Sequence, residues 1–247
     1  MGEYVRSTRH PFACLVFLVP LLAGYEYGVH WLGGDRPDLL RNGADAWLRW
    51  GLLQYGLEQH WVAPLIVIGL FTIWSLYRWS DRPSSPFTTA FGMIIESGAF
   101  AAVLWAISVN FNPLLDRLGI HLSVQPGSLA DSAQARLLVR YVGAGIYEEV
   151  IFRLGLFSAV YLLLRVTLLP RVVAGLLAAV IAAILFAAAH HFGPGGEHPV
   201  VPIRFAFRAL AGFYFTMLYV TRGFGIAVGA HAGYDVLVGL GTASATG

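Results

Sequence analysis

Residues 172–192 read VVAGLLAAVIAAILFAAAHHF, an apolar run without Asp, Glu, Lys or Arg. A helix that crosses the hydrocarbon core of a bilayer needs about 20 apolar residues. This run therefore predicts a membrane-spanning helix. It ends on two histidines, His190 and His191, whose side chains can accept and donate protons near neutral pH.

The composition of the whole chain agrees with this stretch. Of 247 residues, 57% are hydrophobic and 12% are charged, and the formal net charge is +2. These values exclude a disordered chain, a nucleic-acid-binding tail and an ordinary soluble enzyme. We predict an all-α, polytopic membrane helical bundle with about seven to eight transmembrane helices plus an interfacial amphipathic helix. The expected partners include the lipid bilayer and no nucleic acid.

Apolar runs separated by charged or Gly/Pro-rich connections predict the other spans. They cover approximately residues 12–24, 61–79, 86–110, 135–168, 200–220 and 224–240. We expect one continuous membrane domain, in which residues 1–134 hold N-terminal membrane helices and residues 135–247 hold the chemically informative helices. The single cysteine, Cys14, excludes an internal disulfide and a cysteine-based metal site.

Residues 33–60 have a different pattern, because charged residues alternate with Leu and Trp at helical spacing. Such a pattern is typical of an amphipathic helix in the plane of the membrane interface, with its tryptophans at headgroup depth. A gate for substrate is the functional alternative.

Three ionisable residues fall inside the predicted span 135–168: Glu148, Glu149 and Arg153. On insertion scales each costs roughly 2.5–3.5 kcal/mol at the bilayer centre, so partners are expected. Glu149 and Arg153 are four residues apart and face each other on a helix. Glu148 lies about 100° further round. It must be protonated, paired with histidine or bound to a cation, unless the three form a polar helix contact without chemistry.

Two later spans carry further polar pairs at four-residue spacing. Phe186 and His190 share one helix face, as do His231 and Asp235, whereas His191 points elsewhere and is interpreted as an interfacial residue. Glycines at 225, 229 and 233 form a stripe that allows a neighbouring helix to approach closely. The last span is thus predicted to pack tightly while it presents His231 and Asp235 to a cavity.

Carboxylates, histidines and an arginine within the membrane are the groups needed to activate water for hydrolysis. Ser158 lies near them but has no G-x-S-x-G-like setting, so a covalent intermediate on serine is not expected. The preferred interpretation requires no cofactor. A glutamate and two histidines could also hold zinc with a water in the open position, and the sequence leaves this alternative open.

The order E-E-x-x-x-R, F-x-x-x-H and H-x-x-x-N/D on successive spans resembles the CPBP family. This is the family of CAAX prenyl endopeptidases and bacteriocin-processing or immunity proteins, also called ABI. Glu148, Glu149 and Arg153 match the first motif, Phe186 and His190 the second, and His231 and Asp235 the third. The resemblance covers approximately residues 135–242.

This resemblance implies an intramembrane endopeptidase, often labelled a metalloprotease, that cuts a membrane-anchored protein or peptide near its embedded end. By motif position, Glu148 would activate water with help from His190, and His231 and residue 235 would hold the oxyanion. Glu149 and Arg153 would stabilise the site. The expected location is the inner membrane of a bacterium.

One position departs from the CAAX-processing branch, which has asparagine where this chain has Asp235. An ionised aspartate cannot donate to an oxyanion, so it would have to be protonated, orient His231 or help bind a metal. A prenylated CAAX substrate is not assumed either, because many bacterial members of the family occur in hosts without that pathway. A non-proteolytic immunity or binding protein and an ion-coupled transporter are the alternatives, although no inverted repeat supports transport.

Overall fold

The computed structural model describes residues 2–117, 131–192 and 202–244, with side chains for 2–111, 134–191 and 202–239. Within these ranges the chain forms helices and no strand, which confirms the all-α prediction. Ten α-helices lie in the described part: α1 Gly2–Thr8, α2 Pro11–Gly33, α3 Gly43–Leu53, α4 Val62–Tyr77, α5 Pro86–Arg117, α6 Asp131–Glu149, α7 Ser158–Val166, α8 Arg171–Phe192, α9 Pro202–Arg222 and α10 Phe224–Ser244.

In the described part of the chain, four helices are long and apolar enough to cross a membrane: Pro11–Gly33, Pro86–Phe111, Arg171–His191 and Pro202–Arg222. Two shorter apolar helices cover Val62–Tyr77 and Phe224–Gly239. Helices α6 and α7 are joined by a π-helical segment, and the first of them ends on the predicted buried charges. An all-helical membrane bundle is therefore supported, and the total of seven to eight spans stays a prediction.

The glycine stripe of α10 packs as predicted. A Cβ atom at Gly229 would lie 2.5 Å from Ser97 Oγ, and one at Gly233 would lie 3.0 Å from Ala101 Cβ, both on α5. On another face of α10, α6 approaches equally closely through Gly145. Small residues allow this approach where a bilayer provides no hydrophobic drive for helix association. The third motif is thereby held against the first.

The segment 33–60 differs from the prediction of one amphipathic helix. Its α-helix is short, Gly43–Leu53, and follows a 3-10 turn at Pro37–Leu40. Some of its charges face the protein: Arg41 and Asp45 are buried, whereas Trp50 is exposed. Arg41 and Arg49 point inwards, because both pair with the carboxylate of Glu26 on α2.

We expect Gly145→Ala to destabilise the bundle. The new Cβ would lie 2.7 Å from Ala232 Cβ and 2.8 Å from Ala232 N, so α6 and α10 would have to separate. Overpacking of this kind costs about 1–3 kcal/mol, which thermal unfolding in detergent would measure. Gly175→Ala is the matched control, because no atom lies within 4 Å of its Cβ position. The control is expected to stabilise α8 by about 0.5–1 kcal/mol. Equal melting temperatures for the two variants would contradict the packing account.

Candidate active site

The first motif spans a change in helix type. Helix α6 ends at Glu149, and the next eight residues, Val150–Phe157, form a π-helix before α7 begins. Ser158 Oγ donates to the carbonyl oxygen of Arg153 at 3.1 Å. π-Helical turns are rare and occur frequently at functional sites. Glu148 and Glu149 therefore lie at the point where the α-helix changes to the wider π-helix.

Glu149 and Arg153 form the predicted ion pair. Arg153 Nη1 lies 2.9 Å from Glu149 Oε1, and the two side chains are 1% and 0% exposed. Arg153 Nη2 donates to the carbonyl oxygen of Gly212 on α9 at 3.1 Å, and its guanidinium lies 4.5 Å from the centre of the Phe186 ring. The arginine thus connects α6, α8 and α9 at the centre of the bundle.

His231 on α10 joins this pair. Its Nδ1 lies 2.7 Å from Glu149 Oε1, and its ring stacks on Phe215 with centroids 4.4 Å apart. An ionised carboxylate only accepts hydrogen bonds, so Nδ1 carries the proton of this contact. The other ring nitrogen, Nε2, consequently faces away from Glu149 and towards Glu148.

His190 on α8 is oriented in the same way. Its Nδ1 donates to the carbonyl oxygen of Phe186 at 2.8 Å, because a carbonyl oxygen can only accept. Its Nε2 lies 3.7 Å from Glu148 Oε2, and His231 Nε2 lies at the same distance. This separation is too long for a direct hydrogen bond and suits groups that share one small polar molecule.

Glu148 is the carboxylate on which these groups converge. It is 8% exposed as a residue, and its Oε2 has no hydrogen-bond partner among the described residues. Its Oε1 accepts from Asn42 Nδ2 at 3.0 Å. One oxygen is therefore held by an amide, and the other lies between two imidazole nitrogens.

A cavity of about 410 Å³ opens beside this oxygen. Glu148, His190, His231 and Asp235 contribute to its wall, and Asp235 Oδ2 lies 3.8 Å from His231 Nε2. Aromatic and cationic residues also line it: Phe111, Phe186, Phe207, Phe215, Tyr234, Arg204 and Arg208. Ser108, Ile203, Ala211 and Val238 complete the lining. The structure thus brings together all six residues predicted from the motifs.

The sequence analysis misplaced one residue near the site and missed one contact to it. His191, interpreted as interfacial, is fully buried, and its ring stacks on Phe205 with centroids 5.9 Å apart. The contact from Asn42 to Glu148 was missed, because an asparagine before a short helix resembles an ordinary cap. A hydrogen bond across 106 residues has no local sequence signal.

A zinc site needs several His, Cys, Asp or Glu side chains around one point. Among the described residues, no group of three or more His, Cys, Asp or Glu side chains is arranged to hold a metal ion. A chelation experiment distinguishes a zinc site from a metal-free site.

Fold and site together define a class: an α-helical integral membrane protein with a polar, partly enclosed site among its helices. Within that class, residues 132–237 match the family model described as type II CAAX prenyl endopeptidase Rce1-like. This segment contains all three motifs, so the match confirms the resemblance to the CPBP family. Neither the curated proteins nor the solved structures contain a significant match to the chain.

We expect Arg153→Met to destabilise the protein strongly, because it leaves Glu149 buried without its arginine. Removing one partner of a buried ion pair costs about 3–5 kcal/mol. The double variant Glu149→Gln with Arg153→Met should lose less than the sum of the two single losses. Thermal unfolding of the four proteins measures this coupling.

Arg171→Met is the matched control, since Arg171 is exposed at the start of α8. It should melt within experimental error of the wild type. Strictly additive losses in the Glu149–Arg153 cycle would contradict the role of the pair.

Proposed function

We propose that the protein is an intramembrane endopeptidase that hydrolyses a peptide bond near the membrane-embedded end of its substrate. The observation that carries this proposal is the position of Glu148 Oε2, 3.7 Å from the Nε2 atoms of both His190 and His231. The family match over residues 132–237 supports it independently of the geometry.

In the proposed reaction Glu148 acts as the general base. A water between Glu148 Oε2 and His190 Nε2 gives a proton to the carboxylate as its oxygen attacks the scissile carbonyl. Collapse of the tetrahedral intermediate then breaks the C–N bond, and Glu148 passes that proton to the leaving amine. Proton transfer to a positioned side chain of this kind contributes about 10²- to 10⁴-fold to a rate. His190 is suited to hold the water, because its Nδ1 proton is committed to the carbonyl of Phe186 and its Nε2 faces Glu148.

His231 is the proposed stabiliser of the oxyanion. In its doubly protonated form it donates from Nδ1 to Glu149 and from Nε2 towards Glu148 and the nearby Asp235. Preorganised donors aimed at a developing oxyanion provide large rate effects in sites that exclude water. Glu149 and Arg153 then act on His231, because they hold its ring against Phe215 in one orientation.

Two roles are proposed for Asp235. At 3.8 Å from His231 Nε2, its carboxylate can orient the imidazole, and in a protonated state it can donate to the oxyanion. Asp235→Asn restores the residue found in the CAAX-processing branch and separates the two roles, since an amide always offers a donor.

The proposed substrate is a membrane-anchored protein or peptide. Aromatic side chains in the cavity wall suit apolar residues of an extended segment, and about 410 Å³ accommodates a few side chains. Prenylated CAAX peptides are one class to test, alongside peptides with another apolar anchor. We place the protein in the inner membrane of a bacterium.

We expect Glu148→Gln to lower kcat/KM by about 10²- to 10⁴-fold, because the amide cannot accept the proton of water. The assay uses purified protein in liposomes with quenched-fluorescence peptides that end in Cys-aliphatic-aliphatic-X, with and without a farnesyl group. A second set carries an N-terminal apolar anchor. Glu58→Gln is the control, because Glu58 is exposed.

The same samples are assayed with o-phenanthroline, and their metal content is measured by mass spectrometry. The proposed mechanism predicts activity that survives chelation and is lost in Glu148→Gln. Activity lost on chelation and restored by zinc would replace it with a metal-dependent mechanism. Full activity of Glu148→Gln would contradict the proposed function.

A further inference from the structure

In the N-terminal half of the chain, Ser108 and Phe111 line the cavity, and the side chain of Asn42 contacts Glu148 itself. Asn42 lies in the turn between the 3-10 segment Pro37–Leu40 and α3, outside the residues that match the family model. Its Oδ1 accepts from the backbone N–H of Ala44 at 2.7 Å, as an N-cap does. Because that bond requires the oxygen, the amide nitrogen Nδ2 is the atom that faces Glu148 Oε1, at 3.0 Å.

The turn that carries Asn42 is fixed by buried charges. Arg41 Nη1 donates to Asp45 Oδ2 at 2.9 Å, and Arg41 Nη2 donates to Glu26 Oε2 at 3.1 Å. Burial lowers the pKa of Arg41, but its hydrogen bonds to Glu26 and the charge of Asp45 outweigh burial and raise that pKa. The guanidinium is therefore a permanent clamp between α2 and α3.

Arg49 and Tyr25 complete the clamp. Arg49 bonds both Asp45 Oδ1, at 2.7 Å, and Glu26 Oε1, at 2.8 Å. The hydroxyl of Tyr25 donates to Asp45 Oδ2 at 2.8 Å and accepts from the backbone N–H of Asn42 at 3.2 Å. The position of Asn42 relative to α2 is thus determined by several independent bonds.

One amide donor has two effects on Glu148. It prevents rotation of the carboxylate, so that Oε2 stays between His190 Nε2 and His231 Nε2. It also donates a charge-assisted hydrogen bond to the carboxylate that acts as the base. Both effects require a hydrogen-bond donor at the position of Asn42 Nδ2 and would be lost if an acceptor took its place.

We propose that Asn42 is a positioning residue that orients the Glu148 carboxylate for catalysis, and that the segment 37–53 is therefore part of the active site. This inference rests on the proposed function, because it assigns to Glu148 the role of base. Asn42 acts through Glu148 and is not itself a catalytic residue.

The test compares Asn42→Asp and Asn42→Ser with the wild type. Both replacements cap a helix about as well as asparagine, so α3 should keep its N-terminus. Asp places an acceptor and a like charge beside Glu148 Oε1, and Ser is too short to reach it as the amide does. We expect kcat on the farnesylated and apolar-anchored peptides to fall about 10- to 100-fold for both variants, as for a misplaced catalytic group. KM and melting temperature should stay close to the wild-type values.

Gln54→Glu is the matched control, because it makes the same amide-to-carboxylate change at the exposed end of α3. It should retain wild-type kcat. If Asn42→Asp and Asn42→Ser both keep wild-type kcat while Glu148→Gln is inactive, the positioning role is overturned and the proposed function stands. If Glu148→Gln is fully active, the proposed function itself fails. A fall in kcat that only matches a loss of folded protein would make Asn42 merely structural.

A second measurement needs no substrate. The chain has three asparagines, at 42, 110 and 112, so selective ¹⁵N-asparagine labelling gives three side-chain amide signals for NMR. Substitution of each asparagine assigns them. The Asn42 amide protons should shift in Glu148→Gln, because their acceptor loses its charge, while the Asn110 signal should not move. An Asn42 signal identical in both proteins would overturn the contact.

Discussion

The structure depends on one constraint: a charge buried among apolar helices needs a partner. Glu26 forms an ion pair with Arg41, Glu96 with Arg222 and Glu149 with Arg153. In each pair a guanidinium nitrogen lies within 3.1 Å of a carboxylate oxygen. Glu148 is arranged differently, with an amide on one oxygen and two histidines near the other. An arginine side chain stays protonated, whereas a histidine can exchange a proton with its surroundings near neutral pH. The chemistry is therefore expected at Glu148.

Close helix packing makes this arrangement possible. Gly145 brings α6 against α10, and the glycine stripe brings α10 against α5, so His231 reaches Glu149 across 82 residues of sequence. On the other side, Arg153 extends to the Gly212 carbonyl of α9. Helix contacts and polar contacts therefore support each other: the glycines set the distances, and the ion pair keeps the histidine ring in one orientation.

Helical periodicity predicted which residues of a single helix share a face. The spacing of Glu149 and Arg153 predicted their ion pair, and the glycine spacing predicted a packing face. Contacts between helices could not be predicted this way, because periodicity assigns a face to each helix but does not say which faces meet. His191 was misjudged since nothing local indicates that Phe205 covers it. Arg41 and Arg49 were assigned no partner because their acceptor, Glu26, lies in another helix.

The central claim is that water held by Glu148 attacks the scissile carbonyl directly. Single-turnover cleavage of an anchored peptide in H₂¹⁸O, with mass analysis of the new C-terminal carboxylate, tests this most directly. We predict one ¹⁸O atom per product molecule in the first turnover, and no hydroxamate when hydroxylamine is present. An unlabelled first product would mean that the oxygen came from a protein carboxylate. A trapped hydroxamate would mean an acyl-enzyme, and either result would contradict the account.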